Sequence, residues 1–240
     1  MGSFPQSIVH YLPVTDHDER WGIVCTTAGY QNVPPGSPYP LTQHPDSYSF
    51  TRSRGRVLGE YQLLYIVSGQ GEFRSASSPA APVKAGTVVM LFPDEWHTYA
   101  PDPETGWEEW WVGFRGENID RRVAEGFFSP KTPLLHIGHS AGIVSCYQEI
   151  IRSAEEERKG FQQLVTGIVL HLLGSVLFKR DNLQYLDNPI VEKINRAREM
   201  MRRHIGDNLP PEEIARRLNI GYTWFRRTFR AYVGIAPAQY

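Results

Sequence analysis

Two groups of side chains in this chain have types and spacings that could do chemistry. The first is basic. The stretch EEIARRLNIGYTWFRRTFRAYVG, residues 212–234, holds five arginines and no carboxylate after Glu213. Arginine presents a rigid fork of donors that matches guanine edges and phosphate oxygens. The second group is aromatic. Trp96, Trp107, Trp110 and Trp111 put four indoles within sixteen residues, with His97, Tyr99 and Glu109 among them. Indole faces suit the axial C–H groups of sugar rings, and apolar clefts with a few placed polar groups are where small ligands bind.

Other chemistries find little support. His44, His97, His136 and His139 are scattered, and the order Trp96-His97-Thr98-Tyr99 lacks a His-x-His pair. A transition metal needs several convergent ligands, so no metal site is expected. No Ser/His/Asp arrangement or Gly-rich phosphate loop stands out, and Gly69-Gln70-Gly71 reads as a hairpin turn. No catalytic residue and no cofactor are expected. Cys25 and Cys146 make neither a metal spacing nor a disulfide framework, which fits a reduced, cytoplasmic setting.

Those side chains must be positioned by three kinds of element. To about residue 128 the chain reads as short strands. EYQLLYIVSGQGEFRSA is read as strand, turn and return strand, APVKAGTVVMLFPDEWHTYAP turns at Lys84-Ala85-Gly86 and breaks at Pro93, and WEEWWVGFRG adds an aromatic strand. Regular short strands with turns between them predict a small β-barrel or jelly roll. Strand alternation puts Trp107, Glu109 and Trp111 on one side and Glu108 and Trp110 on the other, so about half of the indoles should be structural. From 139 to 180 two apolar-faced helical patterns meet at Gly160, a helical hairpin that could cap the barrel or pair with a second chain. Its most apolar run, LVTGIVLHLLGSVLF, is too short to span a bilayer. No secretion signal opens the chain.

The third kind is 190–240. Ile190, Ile194, Ala197, Met201 and Ile205 share a helical face that Gly206 ends. PPEEIARRL then opens a short helix, Asn219-Ile220-Gly221 turns, and YTWFRRTFRAYV forms another, a helix-turn-helix pattern. Phe225 and Phe229 face the first short helix, which leaves Tyr222, Thr223, Arg226, Arg227 and Arg230 outward for a major groove, with Arg216 and Arg217 near phosphates. Charge divides the same way. Residues 187–240 carry ten Lys and Arg against six Asp and Glu, a formal +4, and residues 1–186 carry fifteen against twenty, a formal −5. A basic half suggests a polyanionic partner.

The segment IARRLNIGYTWFRRTFRAYVGIAPAQY resembles the first helix-turn-helix of AraC-family transcription regulators. Ala215, Leu218, Ile220, Phe225, Phe229, Gly234, Pro237 and Tyr240 fill that frame, and Gly221 stands where a capping Ser is usual. The resemblance implies that Thr223, Arg226 and Arg227 read bases. YQLLYIVSGQGEF and AGTVVMLFPDEWHTYAPDPETGWEEWWVGF likewise resemble the family's cupin-like effector domain, which implies an inward set of Tyr99, Glu109 and Trp111, with Arg54 reaching in and Trp96 and His97 nearby. The expected fold class is α+β: a cupin-like antiparallel β-barrel with a helical hairpin, then an all-α helix-turn-helix subdomain. The expected divisions are 1–180, a linker at 181–189, and 190–240. The family joins a second helix-turn-helix through a helix that would begin near Tyr240, so weak, salt-sensitive DNA binding is expected of this chain. The expected partners are double-stranded DNA, a small polar effector, most simply a sugar, and a second copy met through helices 140–179, with no membrane. The alternative is a metal-free, isomerase-like cupin enzyme carrying an accessory helical domain.

Overall fold

A computed structural model describes residues 7–40, 48, 51–183, 189–203 and 209–240. The chain divides into two compact units, Met1–Asp181 and Asn182–Tyr240. His44, Ile205, Gly206 and much of the expected linker lie outside the described residues.

The first unit is built on antiparallel strands: β1 (Ser7–Tyr11), β2 (Val24–Val33), β3 (Tyr61–Ser75), β4 (Ala81–Lys84), β5 (Thr87–Leu91), β6 (His97–Pro101), β7 (Trp107–Arg115) and β8 (Leu134–His136). They hydrogen-bond in the order β1-β2-β7-β3-β5-β8, with β4 and β6 also paired to β3. Strand β3 organises the whole, because its first half pairs with β5 and β7 and its second half with β4 and β6. A bulge between Ile66 and Ser68 falls where the pairing with β5 ends, and the ladder with β7 runs on to Gly69. This is the cupin-like sheet, folded over on itself.

Here the structure corrects the reading of Gly69-Gln70-Gly71 as a turn. Both glycines lie inside one continuous strand. They are needed for close approach: a Cβ on Gly69 would come within 2.1 Å of the Gly106 carbonyl, and one on Gly71 within 2.3 Å of the Ala100 carbonyl. Glycine in a strand often marks such contact.

Alternation along the strands sorts side chains into two cores. Leu64, Ile66, Phe73, Tyr99, Trp107 and Trp111 fill the space inside the folded sheet. Tyr30, Leu63, Tyr65, Trp110 and Val112 face the other way, toward the helices. Besides α1 (Asp16–Glu19) and α2 (Glu117–Ala124), these are α3 (Ala141–Glu156) and α4 (Phe161–Asn182), joined through a left-handed Glu157 and Gly160. On α3, Ile143, Tyr147, Ile150, Ile151 and Ala154 are buried at helical spacing, and the Tyr147 hydroxyl donates to the Leu63 carbonyl at 2.9 Å. On α4, the Gln162 amide bonds both the N–H and the C=O of Cys25, at 3.0 and 2.9 Å. At 22 residues α4 outruns the apolar stretch seen in the sequence and has the length and hydropathy to cross a bilayer. Its Val165, Val169, Leu172, Leu173 and Val176 are instead buried in the sheet's helical core.

The second unit holds α5 (Pro189–Arg203), α6 (Pro211–Arg217), α7 (Tyr222–Val233) and a 3₁₀ turn at Pro237–Gln239. Ile194 and Ala197 of α5, Ile214 and Ala215 of α6, and Phe225 and Phe229 of α7 form its core. The turn between α6 and α7 places Asn219 at φ +52° and starts α7 on Gly221 without a side-chain cap.

Candidate functional sites

Inside the sheet of the first unit, polar side chains project from β2, β3, β6 and β7 into a cavity of about 20 Å³. Glu109 and Arg56 line it, and the Glu60 carboxylate stands behind the lining. Glu109, only 3% exposed, accepts the Tyr39 hydroxyl at 2.9 and 3.2 Å through its two oxygens. Glu60 accepts from Thr27, Tyr48 and the Gln62 amide at 3.3, 3.0 and 2.9 Å. Arg56 donates to the Tyr48 carbonyl and the Tyr99 hydroxyl, both at 2.7 Å, and to Gln62 and His97 at 3.3 Å. A buried charge is tolerable when its polar atoms are hydrogen-bonded, and this network supplies those bonds.

The network sets the protonation states. Burial pushes the Glu109 carboxyl up to about 7, against the opposing pull of Tyr39 and Arg56. Burial and the Arg56 charge push His97 down to about 4. Neutral His97 accepts from Arg56 at Nε2, so Nδ1 carries the proton and donates to the Glu95 carbonyl at 3.0 Å. Burial also raises Tyr39 and Tyr99, the latter to about 12, so both phenols stay protonated.

Two glycines make the room. A Cβ on Gly29 would fall 2.1 Å from Trp111 Cζ2, so the indole lies across β2 where no side chain stands. A Cβ on Gly113 would fall 2.3 Å from both Glu60 Oε1 and Thr27 Oγ1.

Of the residues singled out in the sequence, Tyr99, Glu109 and Trp111 line the cavity, and His97 backs it through Arg56. Arg54 and Trp96 do not line it. Residues 51–54 form an exposed turn closed by the Gly55 N–H on the Thr51 carbonyl, so Arg54 points to solvent. The chain becomes extended only at Arg56, which bridges to His97, and Arg56 is therefore the arginine of the site. Trp96 instead donates to the Arg54 carbonyl at 3.0 Å and carries the Arg74 guanidinium 5.0 Å from its ring centre. Trp110 lies in the helix-side core against Tyr30 and Tyr147. Sequence reasoning missed Gln31 and Gln62, and offered Thr27 only as part of an arm over the ligand, not as a strand residue lining the cavity. Their signal was polarity at inward strand positions, since Val33, Leu64 and Ile66 share their faces.

The second unit presents a surface. Thr223, Arg226, Arg227, Arg230, Ala231 and Gly234 line one open face of α7. All are exposed, and among the described residues no carboxylate is ion-paired with these three arginines. Arg216 and Arg217 differ, because both bind Glu213, at 2.7 and 2.8 Å, and hold its carboxyl down to about 2. Tyr222 is half-buried against the core, with its hydroxyl on Glu212, and stands apart from the open face. Gly234 ends α7 at φ +90°, Pro237 is buried, and Tyr240 packs edge-on to Phe229 while accepting from Arg198 and Arg202 of α5 at 3.3 and 3.1 Å. The Gly-x-x-Pro-x-x-Tyr spacing thus ties α7 to α5.

A cupin-like sheet with a polar cavity, followed by a three-helix unit with a basic face, defines a class of two-part proteins. Residues 35–173 match the AraC-like ligand binding domain family, and the chain belongs to it. It is 21% identical over 187 residues to the Msm operon regulatory protein of Streptococcus mutans, covering 77% of this chain and 66% of that protein. It is 29% identical over 94 residues to the raffinose operon transcriptional regulatory protein RafR of Pediococcus pentosaceus, covering 38% of this chain and 34% of that one. The chain therefore spans less than two thirds of either relative's length. Among solved structures, the AraC-like transcriptional activator CuxR aligns at 13% identity and a TM-score of 0.34, over 95% of this chain and 84% of that one.

Proposed function

We propose that the protein is a sugar-responsive transcription regulator whose first unit senses a small neutral carbohydrate and whose second unit contacts double-stranded DNA. The reading is carried by α7. An exposed row of Thr223, Arg226, Arg227 and Arg230, on a helix locked by a buried core, is what a major-groove reader requires. Arg216 and Arg217 are assigned to phosphates. Each would exchange its solvent-screened pairing with Glu213, which costs little at an exposed site. Two regulators of operons among the relatives favour this reading over an isomerase-like enzyme. The same reading places the protein in the cytoplasm. It assigns a homodimer to the outer face of α4, where Leu164, Gly167, His171, Gly174 and Phe178 recur at heptad spacing and Leu164 and Phe178 are 52% and 69% exposed.

Arg227→Ala tests the reader. With a duplex selected from a random library, the variant should bind about 1–3 kcal/mol more weakly and with relaxed base preference, by fluorescence anisotropy at fixed salt. Unchanged affinity would remove α7 from the interface.

The sensor makes its own prediction. The cavity is lined by the Glu109 carboxyl and the Arg56 guanidinium, with the Glu60 carboxylate behind the lining on Tyr48 and Gln62. A third carboxylate, brought by the ligand, would be repelled and desolvated without a free partner. Whichever neutral hexose binds, its uronate should bind at least about tenfold more weakly by calorimetric titration, a difference of about 1.4 kcal/mol. Equal binding of the uronate would mean that Arg56 meets the ligand directly.

A further inference from the structure

The cavity in the first unit is small, and the Tyr39 side chain is part of its lining. At about 20 Å³ it has room for roughly one water, whereas small-molecule sites offer about 300–1,000 Å³. Any organic ligand must therefore displace something. Most of the lining belongs to paired strands and is fixed by their ladders. Tyr39 is not, since it lies in the irregular stretch that follows β2.

Tyr39 sits as a ligand would. Its hydroxyl is shared between the two oxygens of Glu109, at 2.9 and 3.2 Å. Its ring stands edge-on to Trp107, with centroids 5.6 Å apart, and tilted against Tyr99 at 6.1 Å. A hydroxyl on a carboxylate and a C–H-bearing ring among aromatic faces are the contacts a sugar makes. Tyr48, the other lining tyrosine from outside the strands, is held differently, because its hydroxyl serves Glu60 and its carbonyl takes the Arg56 guanidinium.

We propose that Tyr39 is the resident occupant of the effector site, and that the effector binds by taking its place. One hydroxyl of the sugar replaces the phenol on Glu109, and its C–H face replaces the tyrosine ring against Trp107 and Tyr99. The exchange keeps Glu109 hydrogen-bonded in both states, so that no buried carboxylate is stranded. The sensor is then a two-state device in which occupancy is written into the position of the segment carrying Tyr39. Its apparent affinity is the intrinsic one multiplied by the fraction of chains in which Tyr39 has withdrawn. This inference rests on the sugar-sensor reading of the same cavity.

The test titrates D-glucose, D-galactose and D-xylose calorimetrically into the full chain and into Tyr39→Phe and Tyr39→Ala variants that retain the wild-type near-ultraviolet circular dichroism. Whichever sugar binds the wild type should bind Tyr39→Ala about tenfold more tightly, with Tyr39→Phe between them because it keeps the ring and loses the Glu109 bond. If Tyr39→Ala does not fold, the rank of Tyr39→Phe against wild type decides the matter. Affinity that stays level or falls in the variants overturns the displacement while leaving the sugar reading intact. An absence of heat from every sugar in all folded forms overturns both.

Discussion

Phe229→Ala should melt the second unit and with it abolish the DNA binding proposed for α7, while the first unit stays folded. Truncating a fully buried phenylalanine costs about 3–5 kcal/mol, part lost transfer energy and part cavity. A unit the size of Asn182–Tyr240 has roughly 3–9 kcal/mol of stability to lose. Phe229 is 0% exposed and meets Phe225 with ring centroids 5.5 Å apart, as it does Tyr240. Its removal opens the contact between α7 and α6 and frees the tyrosine that bonds Arg198 and Arg202 of α5. The helices described in this unit are 15, 7 and 12 residues long, at or below the length of about 12–15 residues where isolated helices are marginal in water. Thermal unfolding followed by far-ultraviolet circular dichroism should show the helical transition displaced to low temperature. Retention of DNA binding by the variant would mean that the reader does not depend on this core.

How far the sequence disclosed this arrangement depended on whether a residue's partner was local. The helix-turn-helix was legible because its determinants sit within one short window. Phe225 and Phe229 are one turn apart, Ala215 faces them, and Asn219 tolerates the left-handed turn. The inward set Tyr99, Glu109 and Trp111 followed from alternation and from family likeness. Family likeness points to Arg54, which has the same strand parity as Arg56. Only the turn at 51–54, closed by a single backbone hydrogen bond, decides which of the two extends into the sheet. The glycines of β3 read as a turn because their real constraint, the backbones of Gly106 and Ala100, lies 37 and 29 residues away in the chain. The pairing of Arg216 and Arg217 with Glu213 was written at i,i+3 and i,i+4 spacing. The role of Tyr39 was not written locally at all, because its partners Glu109, Tyr99 and Trp107 belong to strands that come together only in the folded sheet.

Arg56→Met should destabilise the first unit by about 2–4 kcal/mol and move its pH of greatest stability to the acid side. The cost arises because Tyr99, Gln62, His97 and the Tyr48 carbonyl lose their donor while Glu60 and Glu109 stay buried; a half-buried arginine places it below the fully buried case. The shift follows from two groups of opposite sign. The Glu109 carboxyl is raised to about 7, so between its ordinary value of 4.5 and 7 the native state keeps a proton that the unfolded chain releases. Its contribution therefore falls as pH rises through that window. His97 is lowered to about 4, so between 6.5 and 4 the unfolded chain takes a proton that the native state refuses. Its contribution falls as pH drops. In the wild type the two slopes offset one another from about pH 4.5 to 6.5. The Arg56 charge holds both groups down. Without it Glu109 titrates higher, which steepens the loss on the alkaline side, and His97 moves back toward its ordinary value, which relieves the loss on the acid side. Melting temperatures measured from pH 4.5 to 8 should therefore peak lower in the variant than in the wild type. A peak at the same pH in both proteins would mean that Arg56 is a packing residue and that the cavity's electrostatics are set elsewhere.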